Sequence, residues 1–350
     1  MNTVHVRASK EYDVLVGSGL IPSLGWEAAK VVKIGKAAIV SDSNVWPLYG
    51  EAVVSSLQKA GFDTIHYCFP AGEESKCGAT YLDLLNFLAE NQITRSDCLV
   101  ALGGGVVGDL TGFAAATYLR GIAYIQVPTT LLAAVDSSVG GKTAIDLPAG
   151  KNLAGAFCQP SLVVCDTDTL DTLPVSVFRD GSAEVIKYAV LYDDALFAHL
   201  DENGLGFDRE AVITQCVALK RDVVVEDEFD TGARQKLNLG HTIGHGIEAK
   251  SNFTVTHGQA VAAGMAIVAR AAERYEICHT DTVKKITQLI GKFQLPTNTT
   301  FSAEELFYTA LSDKKRSGSR VNLIVPVTVG NCIIHPIPVD QMLSFIKAGL

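Results

Sequence analysis

The first half of this chain alternates in a regular way. Short β-rich apolar runs stand at 37–42 (AAIVSD), 62–69 (FDTIHYCF), 97–103 (DCLVALG), 123–128 (AYIQVP) and 161–166 (SLVVCD). Helical stretches separate them near 46–60, 78–90 and 107–119, and two opening strands are expected at 4–7 and 12–16. No other feature constrains the fold as tightly. Strand, helix and strand in repeated order bury their apolar faces as a parallel sheet with helices packed against it. The rhythm stops near residue 173. Beyond it the pattern is mostly helical, with segments near 178–200, 209–225, 239–250 and 257–276. A β-rich run at 321–337 and a short C-terminal helix follow. At 350 residues the chain is long enough for two cores. The expected class is α/β: a parallel-sheet domain over 1–173, a mainly helical domain over 174–350, and a site between them.

Charge and composition exclude some functions. The formal balance is −9, from 29 Lys and Arg against 38 Asp and Glu, which disfavours a surface for nucleic acid. An acidic protein can still bind an anionic substrate if its cations are gathered in one pocket. No run reaches the roughly 20 apolar residues of a membrane span, and the first residues carry no apolar leader segment, so no membrane partner is expected. The eight cysteines show neither CxxC nor framework spacing, and they read as reduced, buried thiols of a cytoplasmic protein.

GGGVVGD (103–109) contains Gly103-x-Gly105-x-x-Gly108 between an expected strand and an expected helix. Backbone amides at such a helix start can approach a pyrophosphate, because glycine puts no side chain in the way. A glycine turn needed only for strand–helix packing gives the same pattern. The acidic residue expected about 20 positions further on is missing, since nothing acidic lies between Asp109 and Asp136. Asp42, ending an earlier strand, is placed to hold a ribose instead. GGKT (140–143) is not a P-loop, because Asp136 occupies the position of its first glycine. Lys142 is read as a lysine on a tight glycine hairpin, aimed at an anion. Thr129 and Thr130 follow a strand end, where they can serve a ligand or cap a helix.

His241 and His245 stand at i and i+4 of an expected helix and share a face. His257 precedes another helix, and Glu184 lies in AEVIKYAV. Three N/O ligands with one position left open make a catalytic zinc arrangement, and these four candidates compete for the three places. His257, at a helix start, could instead be a cap or a surface residue, and either His241 or His245 a satisfied core imidazole.

GGGVVGD, ATYLRG, PTTLLAAVDSSVGGKT, KN (151–152), GAFCQP, AEVIKY, LNLGHTIGH and DKK (313–315) occur in this order along nearly the whole chain. In that set the chain resembles the 3-dehydroquinate synthases of the sugar phosphate cyclase family. The resemblance implies an NAD-binding α/β domain, a helical domain holding Zn²⁺ or Co²⁺, and a homodimer. It implies Glu184, His241 and His257 as metal ligands. NAD contacts would come from Asp42, Glu73, Lys76, Gly104, Gly105, Val106, Asp109, Thr129, Thr130, Asp136, Lys142, Lys151, Thr169 and Thr172. Arg120, Lys142, Asn152, Lys187, Lys220, Arg234, Asn238, His245 and Lys314 or its neighbour Lys315 would serve a phosphorylated sugar acid and its chemistry. The implied activity is that of a carbon–oxygen lyase acting on phosphates, in the second step of the shikimate pathway. In it, 3-deoxy-D-arabino-heptulosonate 7-phosphate is oxidised with NAD⁺, loses phosphate, is reduced again and closes to 3-dehydroquinate by an intramolecular aldol step. One departure stands out: Ser176-Val177 replaces a charged pair, often Arg-Glu, so a modest change in NAD affinity is expected. Rival readings are a cyclase of sedoheptulose 7-phosphate or glucose 6-phosphate, a metal-dependent polyol dehydrogenase, and an inactive binding paralogue. Arg120, Asn152, Lys220, Arg234, Asn238 and His245, which keep the identities of the 3-dehydroquinate synthases, weigh against the first, the number of cations around a phosphate against the second, and the intact metal and phosphate residues against the third.

Overall fold

The computed structural model describes residues 1–252, 254–312, 316–317 and 320–350. In chain order the elements of the first half are β1 (Asn2–Arg7), β2 (Glu11–Gly17), α1 (Leu24–Val31), β3 (Lys36–Asp42), α2 (Trp46–Lys59), β4 (Asp63–Phe69), α3 (Gly78–Glu90), β5 (Cys98–Gly103), α4 (Gly105–Thr117), β6 (Ala123–Pro128), β7 (Lys142–Leu147), β8 (Gly150–Phe157) and β9 (Leu162–Asp166). They are followed by α5 (Val175–Tyr192), α6 (Asp194–Asn203), α7 (Arg209–Glu226), α8 (His241–Lys250), α9 (His257–Arg274), α10 (Thr280–Lys292), α11 (Ala303–Ser312), β10 (Arg316–Ser317), β11 (Arg320–Thr328), β12 (Asn331–Pro338) and α12 (Val339–Gly349). The chain divides into two compact units, Met1–Leu173 with Arg209–Phe229, and Pro174–Asp208 with Asp230–Leu350.

A seven-stranded sheet in the order β1-β2-β9-β6-β5-β3-β4 forms the first unit, with all neighbours parallel except β1 and β2. Strands buried on both faces read as continuous apolar runs, and CLVALG in β5 is buried along its whole length. One face packs on α1 and α2, through Leu24, Val53 and Leu57. The other packs on α3 and α4, through Leu84, Leu88, Val107 and Leu110. The chain leaves β3 for β4 at one edge, then returns to β5 on the other side of β3. The sheet is therefore doubly wound, with its switch point between β3 and β5.

Three features depart from the sequence expectation here. The hairpin β7–β8 and helix α1 were not foreseen. In addition α7, counted with the helical half, belongs to the first unit. It lies along the antiparallel edge, where the Asn2 amide donates to Glu210 Oε1 at 3.1 Å and to Thr214 Oγ1 at 3.3 Å.

The second unit is built around α5, whose residues Gly181–Leu191 are all buried. A helix apolar all round is a core helix, so any charge on it must be paired. The single helix expected over 178–200 breaks at Asp193. That residue takes extended backbone, and its Oδ1 accepts from Leu196 N at 2.9 Å to cap α6. The α9 helix is rich in Ala and Gly, and this lets α8 cross it closely: a Cβ on Gly264 would lie 2.1 Å from the Gly240 carbonyl oxygen. Helices α10 and α11 were also unforeseen, and the expected β-rich run is the antiparallel pair β11–β12. No helix among the described residues is long and apolar enough to cross a membrane. All eight cysteines are unbridged, but Cys68 is exposed and Cys77 and Cys158 are half-buried, against the expectation of burial throughout.

Candidate metal centre and nucleotide site

In the second unit the candidate ligand atoms of Glu184, His241 and His257 all lie within 4.8 Å of one another. Glu184 is carried by the buried helix α5, His241 opens α8 and His257 opens α9. Oε1 of Glu184 is 3.1 Å from His257 Nε2 and 3.4 Å from His241 Nε2. The second ring nitrogens are held as well. His241 Nδ1 donates to the Leu239 carbonyl at 3.0 Å, which fixes its tautomer and leaves the Nε2 lone pair free to ligate. His257 Nδ1 lies 3.3 Å from Glu248 Oε2. Lys187, one turn along α5, pairs with Oε2 of Glu184.

These neighbours set the protonation states of the metal-free site. Burial opposes the charge on Glu184, yet Lys187 and His241 hold its carboxyl well below the usual carboxylate range. Burial pushes His241 down to about 4, against the pull of Glu184. Burial also opposes charge on His257, but the hydrogen bonds to Glu184 and Glu248 outweigh it and raise the ring to about 10. An imidazolium between two carboxylates stands where a cation is wanted. Two imidazoles and one carboxylate, with their orienting partners in place, fit a catalytic divalent metal. The fourth candidate, His245, has its ring centroid 5.5 Å from that of His241 and 6.4 Å from that of His257, and it lies outside the trio.

The residues expected to serve the substrate are divided between the units. In the second unit Lys187 and Arg234 are almost fully buried, and Asn238 donates to the Gln235 carbonyl at 3.0 Å. In the first unit Lys220 is buried on α7 and paired with Asp136. Arg120 and Asn152 are exposed and hold left-handed backbone, with φ of 69° and 54°. Such backbone in non-glycine residues is costly and concentrates at functional sites. Lys142 is exposed and opens β7 directly after Gly140 and Gly141, both at positive φ, so the tight glycine turn precedes the hairpin rather than capping it. Lys314 and Lys315 lie outside the described residues.

Of the nucleotide candidates, Asp42, Gly104, Gly105 and Val106 stand at the switch point. Gly104 is the N-cap of α4, and Gly105 begins it. A Cβ on Gly104 would meet the Thr130 methyl at 3.0 Å, so a side chain at this helix start would be tightly packed. In the register of β3 and β5, Ser41 pairs with Leu102, which puts Asp42 beside Gly103 at the carboxyl ends of the strands. Asp42 Oδ1 is already used, accepting from Asn44 N and Val45 N at 2.8 and 3.0 Å.

The adjacent threonines differ. Thr130 Oγ1 accepts from Ala133 N at 3.2 Å and acts as a cap, whereas Thr129 Oγ1 is buried with no hydrogen-bond partner among the described residues. That orphaned hydroxyl, at the end of β6, fits a ligand group. Lys76, buried, pairs with Asp109 at 2.7 Å and with Glu73 at 3.5 Å, and Lys151 reaches Glu73 at 3.8 Å. Asp109 and Glu73 raise the Lys76 ammonium in spite of its burial, while burial pushes the Asp109 carboxyl up. Thr169 and Thr172 bond within their own turn, and Tyr49 reaches both. Val106 is half-buried in the first turn of α4.

Sequence reasoning missed Glu248, although it lies only three residues beyond LNLGHTIGH. It also missed Asp146, whose Oδ1 accepts from Asn152 N at 2.8 Å and holds that strained residue in place. Val177 is 40% exposed on the first turn of α5.

A doubly wound sheet with a glycine-opened helix at its switch point, joined in one chain to an open imidazole–carboxylate trio, defines an α/β enzyme equipped for a nucleotide and a divalent metal. Residues 66–180 match the 3-dehydroquinate synthase N-terminal family profile and residues 181–316 the C-terminal one. A 3-dehydroquinate synthase of Streptococcus suis is 43% identical over 343 residues, spanning 96% of this chain and 97% of its own. One from Pelobacter propionicus is 44% identical over 341 residues, spanning 95% of each. The solved structure of 2-deoxy-scyllo-inosose synthase complexed with carbaglucose-6-phosphate, NAD⁺ and Co²⁺ is 26% identical, with a TM-score of 0.89 over 100% of both chains. The chain belongs to the 3-dehydroquinate synthase family.

Proposed function

We propose that this protein converts 3-deoxy-D-arabino-heptulosonate 7-phosphate to 3-dehydroquinate and phosphate, using NAD⁺ as a recycled oxidant at a divalent metal. The observation that carries the reading is the trio Glu184, His241 and His257, built on buried helices within a chain more than 40% identical to curated 3-dehydroquinate synthases. The inosose synthase structure, with its NAD⁺ and Co²⁺, supports the same pair of cofactors here. Bound at these sites, a divalent metal would supply Lewis acidity and NAD⁺ would supply reversible hydride chemistry.

The chain's own residues bind and orient. Glu184, His241 and His257 hold the metal. Asp42, Gly104, Gly105, Val106, Asp109, Thr129 and Thr130 line the dinucleotide site, with Glu73, Lys76, Asp136, Lys142, Lys151, Thr169 and Thr172. Arg120, Asn152, Lys187, Lys220, Arg234, Asn238, His245 and Lys314 serve the substrate. Their cationic members supply the charge that a phosphate and a carboxylate require in an acidic protein. Fixed cations around one anion hold reactive intermediates in place with little proton transfer by side chains. The family resemblance supports a homodimer, tested by light scattering, and eight unbridged cysteines support a cytoplasmic location.

The test is phosphate release from the heptulosonate 7-phosphate by purified protein with NAD⁺ and Zn²⁺. The expected result is release that a chelator abolishes and added metal restores. No release from a metal-loaded protein, with turnover of sedoheptulose 7-phosphate or glucose 6-phosphate instead, assigns a sibling cyclase.

A further inference from the structure

His257 is the least anchored member of the trio. It is the first residue of α9 and its side chain is 32% exposed, while Glu184 is fully buried and His241 nearly so. Two separate carboxylates compensate. Asp180, one turn before Glu184 on α5, accepts from Gln259 N at 3.1 Å and from the Thr256 hydroxyl, clamping the start of α9. The approach is so close that a Cβ on Gly258 would lie 1.9 Å from the Asp180 carbonyl oxygen. This clamp fixes the backbone but leaves the imidazole free to turn.

Glu248 acts on the ring itself. Its side chain is 4% exposed, two turns after His241 on α8, and Oε2 lies 3.3 Å from His257 Nδ1. A buried carboxylate is costly unless bonded, so its presence here needs a physical reason. We propose that Glu248 is a positioning residue of the metal centre, holding His257 by Nδ1 so that Nε2 faces Glu184 and His241. This rests on the metal reading of the trio. An imidazole that donates Nδ1–H to a carboxylate is fixed in tautomer and rotation and is a more basic ligand at Nε2. Both histidines of the trio are then secured at the far nitrogen, His241 by a backbone carbonyl and His257 by Glu248.

The test uses the full chain as wild type, Glu248→Gln, Glu248→Leu and His257→Ala. Zn²⁺ affinity is measured by chelator competition, and the Co²⁺ form is followed by its ligand-field absorption. Loss of the acceptor in Glu248→Leu is expected to weaken Zn²⁺ by about 10–100-fold and to change the Co²⁺ spectrum. Glu248→Gln keeps a neutral acceptor of the same shape and is expected to fall between that variant and wild type. It also decides the matter if the leucine variant does not fold. Wild-type affinity and spectrum in the Glu248 variants, with His257→Ala weakened, overturn the positioning role and leave the metal reading standing. Weak Zn²⁺ binding by wild type, unaltered in His257→Ala, overturns both.

Discussion

Replacing Gly264 by alanine tests how the α8–α9 crossing sets the metal centre. The added Cβ would lie 2.1 Å from the Gly240 carbonyl oxygen and 3.0 Å from the Gly244 nitrogen, where ordinary contact begins near 3.4 Å. Both obstacles are backbone and neither can rotate aside, so the helices must separate by about 1.3 Å along that line. Overpacking a close core costs about 1–3 kcal/mol, and a backbone clash this short belongs at the upper end. Alanine returns up to about 1 kcal/mol of helix propensity. The net expectation is a loss of about 2 kcal/mol. His241 follows Gly240 on α8 and His257 opens α9, so the same displacement separates two ligands. Site geometry tolerates only about 0.5 Å, and metal affinity is expected to fall with stability. Urea unfolding of the metal-free protein and chelator competition report the two effects. Gly291→Ala on α10, with nothing within 4 Å of the new Cβ, is the control and should stabilise by about 0.5–1 kcal/mol. If Gly264→Ala behaves like Gly291→Ala and binds metal as wild type does, the close crossing does not set the site.

Four further outcomes are expected. His257 is raised to about 10 and His241 lowered to about 4, so between pH 7 and 9 metal displaces one proton, from His257. Affinity then rises about tenfold per pH unit, and calorimetry in buffers of different ionisation enthalpy counts the proton; pH-independent affinity contradicts this. Without metal, the raised His257 stabilises the fold fully below about pH 6.5, and that contribution fades as pH climbs through about 10. Glu184→Gln removes the carboxylate that pairs with the buried Lys187 ammonium and with His257, and should cost the metal-free protein about 3–5 kcal/mol, part of it recovered by adding Lys187→Met. Equal unfolding midpoints for single and double variants would sink that reading. Thr129→Val removes a buried hydroxyl with no partner among the described residues, so it should leave the ligand-free protein as stable or more so while weakening NAD⁺ by about tenfold, as titration would show. Lower stability with unchanged NAD⁺ affinity is the opposite result.

The parallel sheet was legible because its strands are buried on both faces. Runs such as CLVALG and LVVCD therefore carry no polar interruption, and their ends fall within a residue or two of the expected places. What escaped depends on partners distant in sequence. Helix α7 resembles its helical neighbours, and partners distant in sequence, Asn2 and Asp136 among them, assign it to the first unit. The break at Asp193 turns on one capping carboxylate. Helix α10 spaces Val283, Ile286, Leu289 and Ile290 at helical intervals, a signal that was present but unread. At the site, the i,i+4 histidines were visible, but spacing could not choose three ligands from four, and the choice of Glu184, His241 and His257 came from family resemblance. Glu248 shares a helix face with His241, yet its purpose appears only once His257, on another helix, is brought against it. The neighbouring threonines 129 and 130 look alike in sequence and differ only in which hydroxyl finds a backbone amide.

The measurement that bears most directly on the central claim is the stoichiometry of a complete turnover. Metal-loaded protein is given heptulosonate 7-phosphate and catalytic NAD⁺, and phosphate, carbocyclic product and reduced nicotinamide are quantified together. One 3-dehydroquinate per phosphate, with no net NADH, is the predicted result. NADH accumulating in step with substrate loss, without phosphate release, would make the protein a dehydrogenase and contradict the account.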